Sequence, residues 1–355
     1  MPALHTLHTT LSPSIPAIIS APMHLIAHAP LAVSVSAAGG LGFLAAGFSP
    51  TDLEKNLSHA SSLIASNPSL HRHQTDNNNT LPIGIGYLIW NTSLPSTLPI
   101  LAKYPPTAVW LYAPKEPAIE TLALWAREIR IATGNRSKIW TQVGTVAEAL
   151  ETVRAVSPDV LVIQGQDAGG HGLERGGAGI ISLVPEVHDA LCAAGHGDIP
   201  LVAAGGIADG RGVAAALCLG AQGAVLGTRF LACSDAKIAR GYREEILRVA
   251  DGGASTVRTK LYDELRGTNE WPERYDGRAV VNQSYRDMVA GMGGEENRRL
   301  YEEALGKGDE GWGDQGRLTT WAGTGVGLVR EVRTAGEIVE GIVKEVQGIL
   351  GKLKD

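Results

Sequence analysis

The chain is poor in cysteine: Cys192, Cys218 and Cys233 are its only three, and no two stand in a C-x-x-C pair. That spacing excludes a disulfide framework and a cysteine zinc site, and it fits a reducing compartment. Positive charge is also short, with 31 Lys and Arg against 37 Asp and Glu and a formal net charge of -6. Without a basic stripe to neutralise phosphates, nucleic acid is excluded as a partner. Long apolar runs are missing too, because residues 24–48, although apolar on average, are broken by two histidines, a proline and several glycines. No membrane span is expected. The opening MPALHTLHTTLSPSIP lacks the basic start and apolar core of a signal peptide, and the closing GKLKD carries no peroxisomal or reticular address. The expected location is the cytoplasm. G-x-S-x-G, Walker and H-E-x-x-H patterns are absent, which removes the serine hydrolase, P-loop and zincin readings.

Glycine is abundant instead, at 44 of 355 residues, in a chain that is 44 % hydrophobic. This length holds one large α/β barrel with an appendage, or two ordinary domains. Residues 199–230, IPLVAAGGIADGRGVAAALCLGAQGAVLGTRF, form the most legible unit. An apolar run over 199–204 ends in Gly205-Gly206. A helix-length segment follows with Ala214, Leu217 and Cys218 on one stripe, and a second short run over 224–226 ends in Gly227-Thr228. This is a β-α-β unit with two glycine turns at neighbouring strand ends, where free N–H groups can cradle a phosphate.

Further strands are expected over 16–20, 41–45, 81–90, 108–112, 138–143 and 159–163. Helices are expected between them over 27–38, 52–66, 94–103, 118–133, 145–156 and 183–194, with a surface loop over 67–80. Eight strands alternating with helices predict a parallel TIM (β/α)8 barrel. The texture then turns more charged and turn-rich, with helical pieces over 240–250 and 297–305. We read 1–233 as the barrel, 234–312 as a smaller inserted lid domain, and 313–355 as a segment whose helix over 338–353 returns to the barrel wall.

Chemistry is expected where the sixth strand ends, at Gln164-Gly165-Gln166-Asp167-Ala168-Gly169-Gly170-His171-Gly172. Four glycines around one imidazole give it room and let a planar ligand approach the backbone, and His exchanges protons near neutral pH. The bland alternative is a loop His that caps a helix or meets solvent. His24 and His28, four apart, are read as helix-surface residues because no third metal ligand type is near. Arg229 pairs either with a phosphate or with the lid. Asp52, Glu54, Asp167 and Glu174 form no carboxylate pair, and Trp90 and Trp110 stand near strand ends, lining a pocket or filling the core.

Taken together, A-P-M after the first strand, AAGGLGFLAAG at the second, Q-G-x-D-A-G-G-H-G after the sixth, LVAAGGIADG at the seventh and VLGTRF at the eighth resemble the nitronate monooxygenase family, with Trp321-Ala322-Gly323 extending the likeness. The resemblance implies an FMN-bearing barrel that oxidises alkyl nitronates with O2 to a carbonyl compound and nitrite. Carried onto this chain, it places Ala21, Pro22 and Met23 against the flavin ring and gives Gln164 and Gly169 flavin contacts. Gly206 and the Val225-Leu226-Gly227-Thr228 turn would hold the phosphate. His171 would be the catalytic base toward a neutral nitroalkane, or would orient the nitronate. Two departures stand out: His24-Leu25-Ile26 follows A-P-M where many members carry small residues, and Gly84-Ile85-Gly86 stands where bacterial members often have Gly-Val-Asn. An NAD(P)H-dependent flavin reductase acting on a quinone or enoyl thioester, and a non-catalytic flavin-binding or phosphate-ligand-binding protein, are the competing readings. The sequence sets no oligomeric state.

Overall fold

The computed structural model describes residues 16–352. The readings made on residues 1–15 and 353–355 lie outside them. Parallel strands β1 (Ala17–Ser20), β2 (Leu41–Ala45), β3 (Leu81–Leu88), β4 (Pro106–Tyr112), β5 (Lys138–Val143) and β6 (Val160–Gln164) run in order around a barrel. After β7 (Gly170–Leu173), which stays outside it, β8 (Leu201–Ala204) and β9 (Gly223–Leu226) complete a closed ring of eight, β9 pairing with β1. Around the strands stand α1 (Ala29–Ala37), α2 (Pro50–Ala65), α3 (Pro68–Asp76), α4 (Leu94–Lys103), α5 (Ala118–Thr133), α6 (Val146–Val156), α7 (Ile180–Ala193) and α8 (Gly210–Cys218).

Strand parity builds two layers. Val160 and Val162 of β6 pack inside the barrel with Phe43, Trp110, Trp140 and Val202, whereas Leu161 and Ile163 face the helices beside Leu183 and Val187. Both faces being buried, each strand reads as a continuous apolar run rather than an alternating one. The glycines of β3 are filled by neighbours: a Cβ on Gly84 would lie 2.3 Å from the Phe43 ring, and one on Gly86 2.3 Å from Pro22.

Local side-chain caps open several of the helices. Ser49 Oγ accepts from Asp52 N at 3.2 Å ahead of α2, Thr145 Oγ1 from Glu148 N at 3.1 Å ahead of α6, and Asp209 Oδ1 from Arg211 N at 3.0 Å ahead of α8. Residues 67–80, read as a surface loop, contain α3. Asn67 Oδ1 accepts from Ser69 N and Leu70 N, both at 3.1 Å, and Pro68 opens the helix, so a cap and a proline N1 outweigh a polar composition that buries only Leu70.

Beyond β9 come α9 (Arg240–Arg248), β10 (Thr256–Thr259), α10 (Leu261–Arg266), β11 (Tyr275–Val280), α11 (Gln283–Val289) and α12 (Gly294–Gly306). The strands β10, β11 and β7 form an antiparallel sheet in that order. A segment expected as a loop after β6 is thus an edge strand, because β11 supplies it with backbone partners, Gly277 standing opposite His171. The last helix, α13 (Ala335–Lys352), closes the outer layer beside α8 and α1. Thr334 and Glu337 cap it reciprocally, Glu337 Oε2 accepting from Thr334 N at 2.8 Å and Thr334 Oγ1 from Glu337 N at 3.2 Å. Its buried Ile338, Val339, Ile342 and Val346 each contribute roughly 1.5–3 kcal/mol of burial. No helix among the described residues is long and apolar enough to cross a membrane.

Candidate active site

A cavity of about 810 Å³ opens at the C-terminal ends of the barrel strands. Inward parity delivers Gln164, Ala204 and Val225 to its wall, and the turns that follow deliver Gly169, Gly206, Gly227 and Thr228. Ala21, Pro22 and Met23, leaving β1, line the adjoining wall. The structure therefore gathers His171 and every other residue expected at a site, with one exception. Leu226 follows an inward Val225, so its side chain points the other way and is buried with Phe230 in the layer between strands and helices; only its carbonyl reaches Ala21 N, at 3.0 Å.

The glycine turns have the geometry of an anion cradle. Gly205 and Gly206 sit at φ +119° and +72°, where a side chain would be strained, and a Cβ on Gly206 would press on Asp167 Cβ at 3.0 Å. The N–H groups of Gly206 and Gly227 donate to nothing among the described residues, whereas that of Gly205 faces Val225 in the β8–β9 ladder. Thr228 Oγ1 accepts from Gly323 N at 3.0 Å, leaving its own proton free to donate. Arg229 serves neither expected partner: it is buried and donates to the Glu331 carbonyl at 3.1 Å, fastening the approach to α13.

Gln164 and Gly169 are partly committed to the protein. The Gln164 side chain accepts from Gln142 Nε2 at 3.0 Å and donates to the His171 carbonyl at 3.1 Å, tying β5, β6 and β7 together. Gly169 must lack a Cβ because one would lie 2.4 Å from the Ala322 carbonyl carbon.

The His171 side chain is 14 % exposed, and its Nε2 lies 2.8 Å from Asp263 Oδ2. Thr268 Oγ1 donates to the other carboxylate oxygen at 2.9 Å. The imidazole stacks on the Trp271 indole, with Trp321 on another side at 4.8 Å between ring centroids. Nδ1 makes no hydrogen bond among the described residues, so it is the nitrogen left for a ligand in the cavity. Asp263 was missed by the sequence reading, Trp271 was not singled out among the tryptophans, and Trp321 entered only through the family likeness. The tryptophan and tyrosine of NEWPERYDGR offered a signal, but nothing local tied them to a histidine about a hundred residues earlier.

His24 corrects another expectation. It lies in a turn before α1 and lines the cavity, its ring 4.7 Å from that of Phe48, and its Nδ1 is buried without a partner. Burial, with Arg266 and His28 adding positive charge, pushes its pKa down to about 4. His28 instead meets Asn56 Oδ1 at 3.0 Å, and no metal-binding cluster occurs among the described residues. Trp90 and Trp110 do line the cavity, each with a buried, unpartnered Nε1. Asp167 accepts from Thr324 Oγ1 at 3.1 Å and Glu174 from Lys260 Nζ at 2.7 Å, so they form no carboxylate pair.

Comparison with known proteins points to one family. The profile of the family described as nitronate monooxygenase matches residues 115–345. The chain is 47 % identical to nitronate monooxygenase npaC of Metarhizium robertsii, over 94 % of this chain and 92 % of that one. It is similar in structure to nitroalkane oxidase from Streptomyces ansochromogenes, with TM-score 0.71 and 25 % identity over 96 % and 98 % of the two chains. FabK from Thermotoga maritima superposes with TM-score 0.72 and 25 % identity over 99 % and 98 %. With the family matched across most of its length and the eight-stranded barrel in place, the chain belongs to the nitronate monooxygenase family and is a flavin-dependent oxidoreductase.

Proposed function

We propose that this enzyme oxidises alkyl nitronates, and nitroalkanes that it first deprotonates, with O2 to give a carbonyl compound and nitrite, using FMN. Three features of the cavity support a phosphorylated flavin: the free N–H groups of Gly206 and Gly227, the hydroxyl of Thr228, and the backbone of Ala21, Pro22 and Met23 across the same cavity. The glycine turns would hold the phosphate and the A-P-M segment would flank the ring. Trp110 Nε1, buried and unpartnered inside the barrel, is a further donor available to the ligand. When bound, the flavin supplies the two-electron oxidation of the substrate carbon and the reaction with O2.

The observation that carries the reading is His171, one nitrogen held by Asp263 and the other free in that cavity. Toward a neutral nitroalkane, Nδ1 takes the proton from the carbon beside the nitro group, and the charge moves onto the nitro oxygens. The imidazolium that results is stabilised by Asp263 and covered by Trp271, which excludes water. Toward a preformed nitronate no proton need be removed, and His171 orients the anion. Residues 234–312 act as the lid, contributing Asp263 and Trp271, and the enzyme works on small molecules in the cytoplasm.

The test is kinetic. His171→Ala is expected to lose about 10²-fold or more in kcat/KM on a neutral nitroalkane while still oxidising the nitronate. Full activity of that variant on the nitroalkane would remove the base assignment. In an anaerobic cuvette the bound flavin is expected to bleach with nitronate and not with NADH or NADPH. Rapid bleaching by a nicotinamide alone would replace this reading with the reductase.

A further inference from the structure

We infer that Asp263 is a positioning residue that selects the tautomer of His171, fixing the proton on Nε2 so that Nδ1 meets the substrate as a lone pair. The inference rests on the proposed role of His171 as the base. A carboxylate accepts and does not donate, so the 2.8 Å contact between Asp263 Oδ2 and Nε2 requires the N–H on that nitrogen. In neutral imidazole the other nitrogen is then bare.

The surroundings leave the ring little alternative. Its backbone is held at two points, by pairing with Gly277 of β11 and by the Gln164 amide on its carbonyl. Its plane is fixed by Trp271, parallel to within 6° at 3.6 Å. What stacking leaves open is a half-turn of the imidazole about its Cβ–Cγ bond, which would bring carbon in place of nitrogen to the carboxylate. The hydrogen bond to Asp263 disfavours that flip by about 10- to 100-fold.

Asp263 can do this because it is itself fixed. It is 6 % exposed, and Thr268 closes on it twice, Oγ1 to Oδ1 at 2.9 Å and N to the Asp263 carbonyl at 2.9 Å. The preceding residue, Tyr262, anchors α10 through its hydroxyl to the Val280 carbonyl at 2.8 Å. The proton acceptor of the barrel's histidine is therefore built by the segment that follows the barrel.

The experiment is long-range 1H–15N NMR of the full-length flavin-loaded enzyme labelled in histidine, at pH 8, with the His171 signals identified by their loss in His171→Asn. A neutral ring protonated on Nε2 is the expected result. A ring protonated on Nδ1, or an imidazolium with both nitrogens protonated, would overturn the inference. Asp263→Asn, checked for flavin content, should populate the Nδ1-protonated form. It should also cut kcat/KM on a neutral nitroalkane about 10²-fold while changing that on the preformed nitronate less than about threefold. Equal losses on both substrates would mark Asp263 as merely structural. If the wild type oxidises neither substrate, the proposed function fails, yet the wild-type tautomer still decides what Asp263 does.

Discussion

The indole of Trp271 lies on the imidazole of His171 with ring centroids 3.6 Å apart and planes 6° from parallel. Trp271 also meets Trp90, at the end of β3, at 5.2 Å between centroids, so it joins the segment after the barrel to the barrel's own rim. Trp271→Ala is expected to lower kcat/KM on a neutral nitroalkane about two- to tenfold, the size of a lost aromatic pair. Trp271→Phe should recover most of it, and flavin content should not change in either. Steady-state kinetics beside a flavin absorbance ratio checks both.

The two glycine turns separate backbone strain from ligand contact. Gly206→Ala forces a side chain into a left-handed conformation against Asp167, so it should cost about 1–2 kcal/mol of stability and also weaken flavin binding. Gly227 has φ -102°, and its Cβ would meet only Ala21 Cβ at 3.7 Å. Gly227→Ala should leave the melting temperature of the flavin-free protein unchanged while raising the FMN dissociation constant. Thermal melts and fluorescence titrations of the two variants give the comparison, and unchanged FMN affinity in Gly227→Ala would move the phosphate elsewhere.

His24 should make the protein acid-sensitive. Its pKa falls from about 6.5 to about 4 on folding, so between those values the unfolded chain binds the proton and the folded one does not. Stability contributed by the neutral ring is thus lost as pH falls from 6.5 toward 4, by about 3 kcal/mol at most. Urea unfolding at pH 7 and 4.5 should show a smaller loss on acidification in His24→Phe than in the wild type, by on the order of 2 kcal/mol.

Burial pushes the Cys233 thiol up to about 12, so it holds almost no thiolate at pH 8. Cys192 and Cys218 are exposed. Iodoacetamide at pH 8 should label those two in the folded protein and reach Cys233 only in urea, as read by peptide mass spectrometry.

Much of the barrel was legible because its signals are local. The apolar runs that became β1 to β6, β8 and β9 carry their burial in their own composition, and the turns after β8 and β9 need glycine for reasons of backbone conformation that show in the sequence. Residues 67–76 were misread although their signal, an Asn-Pro helix start, was also local; the polar composition masked it. The family likeness named Leu226 as part of the turn after β9, and strand parity, one residue on from an inward Val225, turns its side chain to the helix layer.

The sequence by itself determined the strand and helix order, the two glycine turns at neighbouring strand ends, and His171 as the residue to watch, since each depends on residues close in the chain. Only the tertiary structure decided what His171 touches. Asp263 is 92 positions away and reaches it through an antiparallel sheet whose pairing of β7 with β11 has no periodicity to announce it. Long-range partners of this kind are chosen by packing and by the demand that backbone groups be paired, and those conditions exist only once the chain has closed on itself.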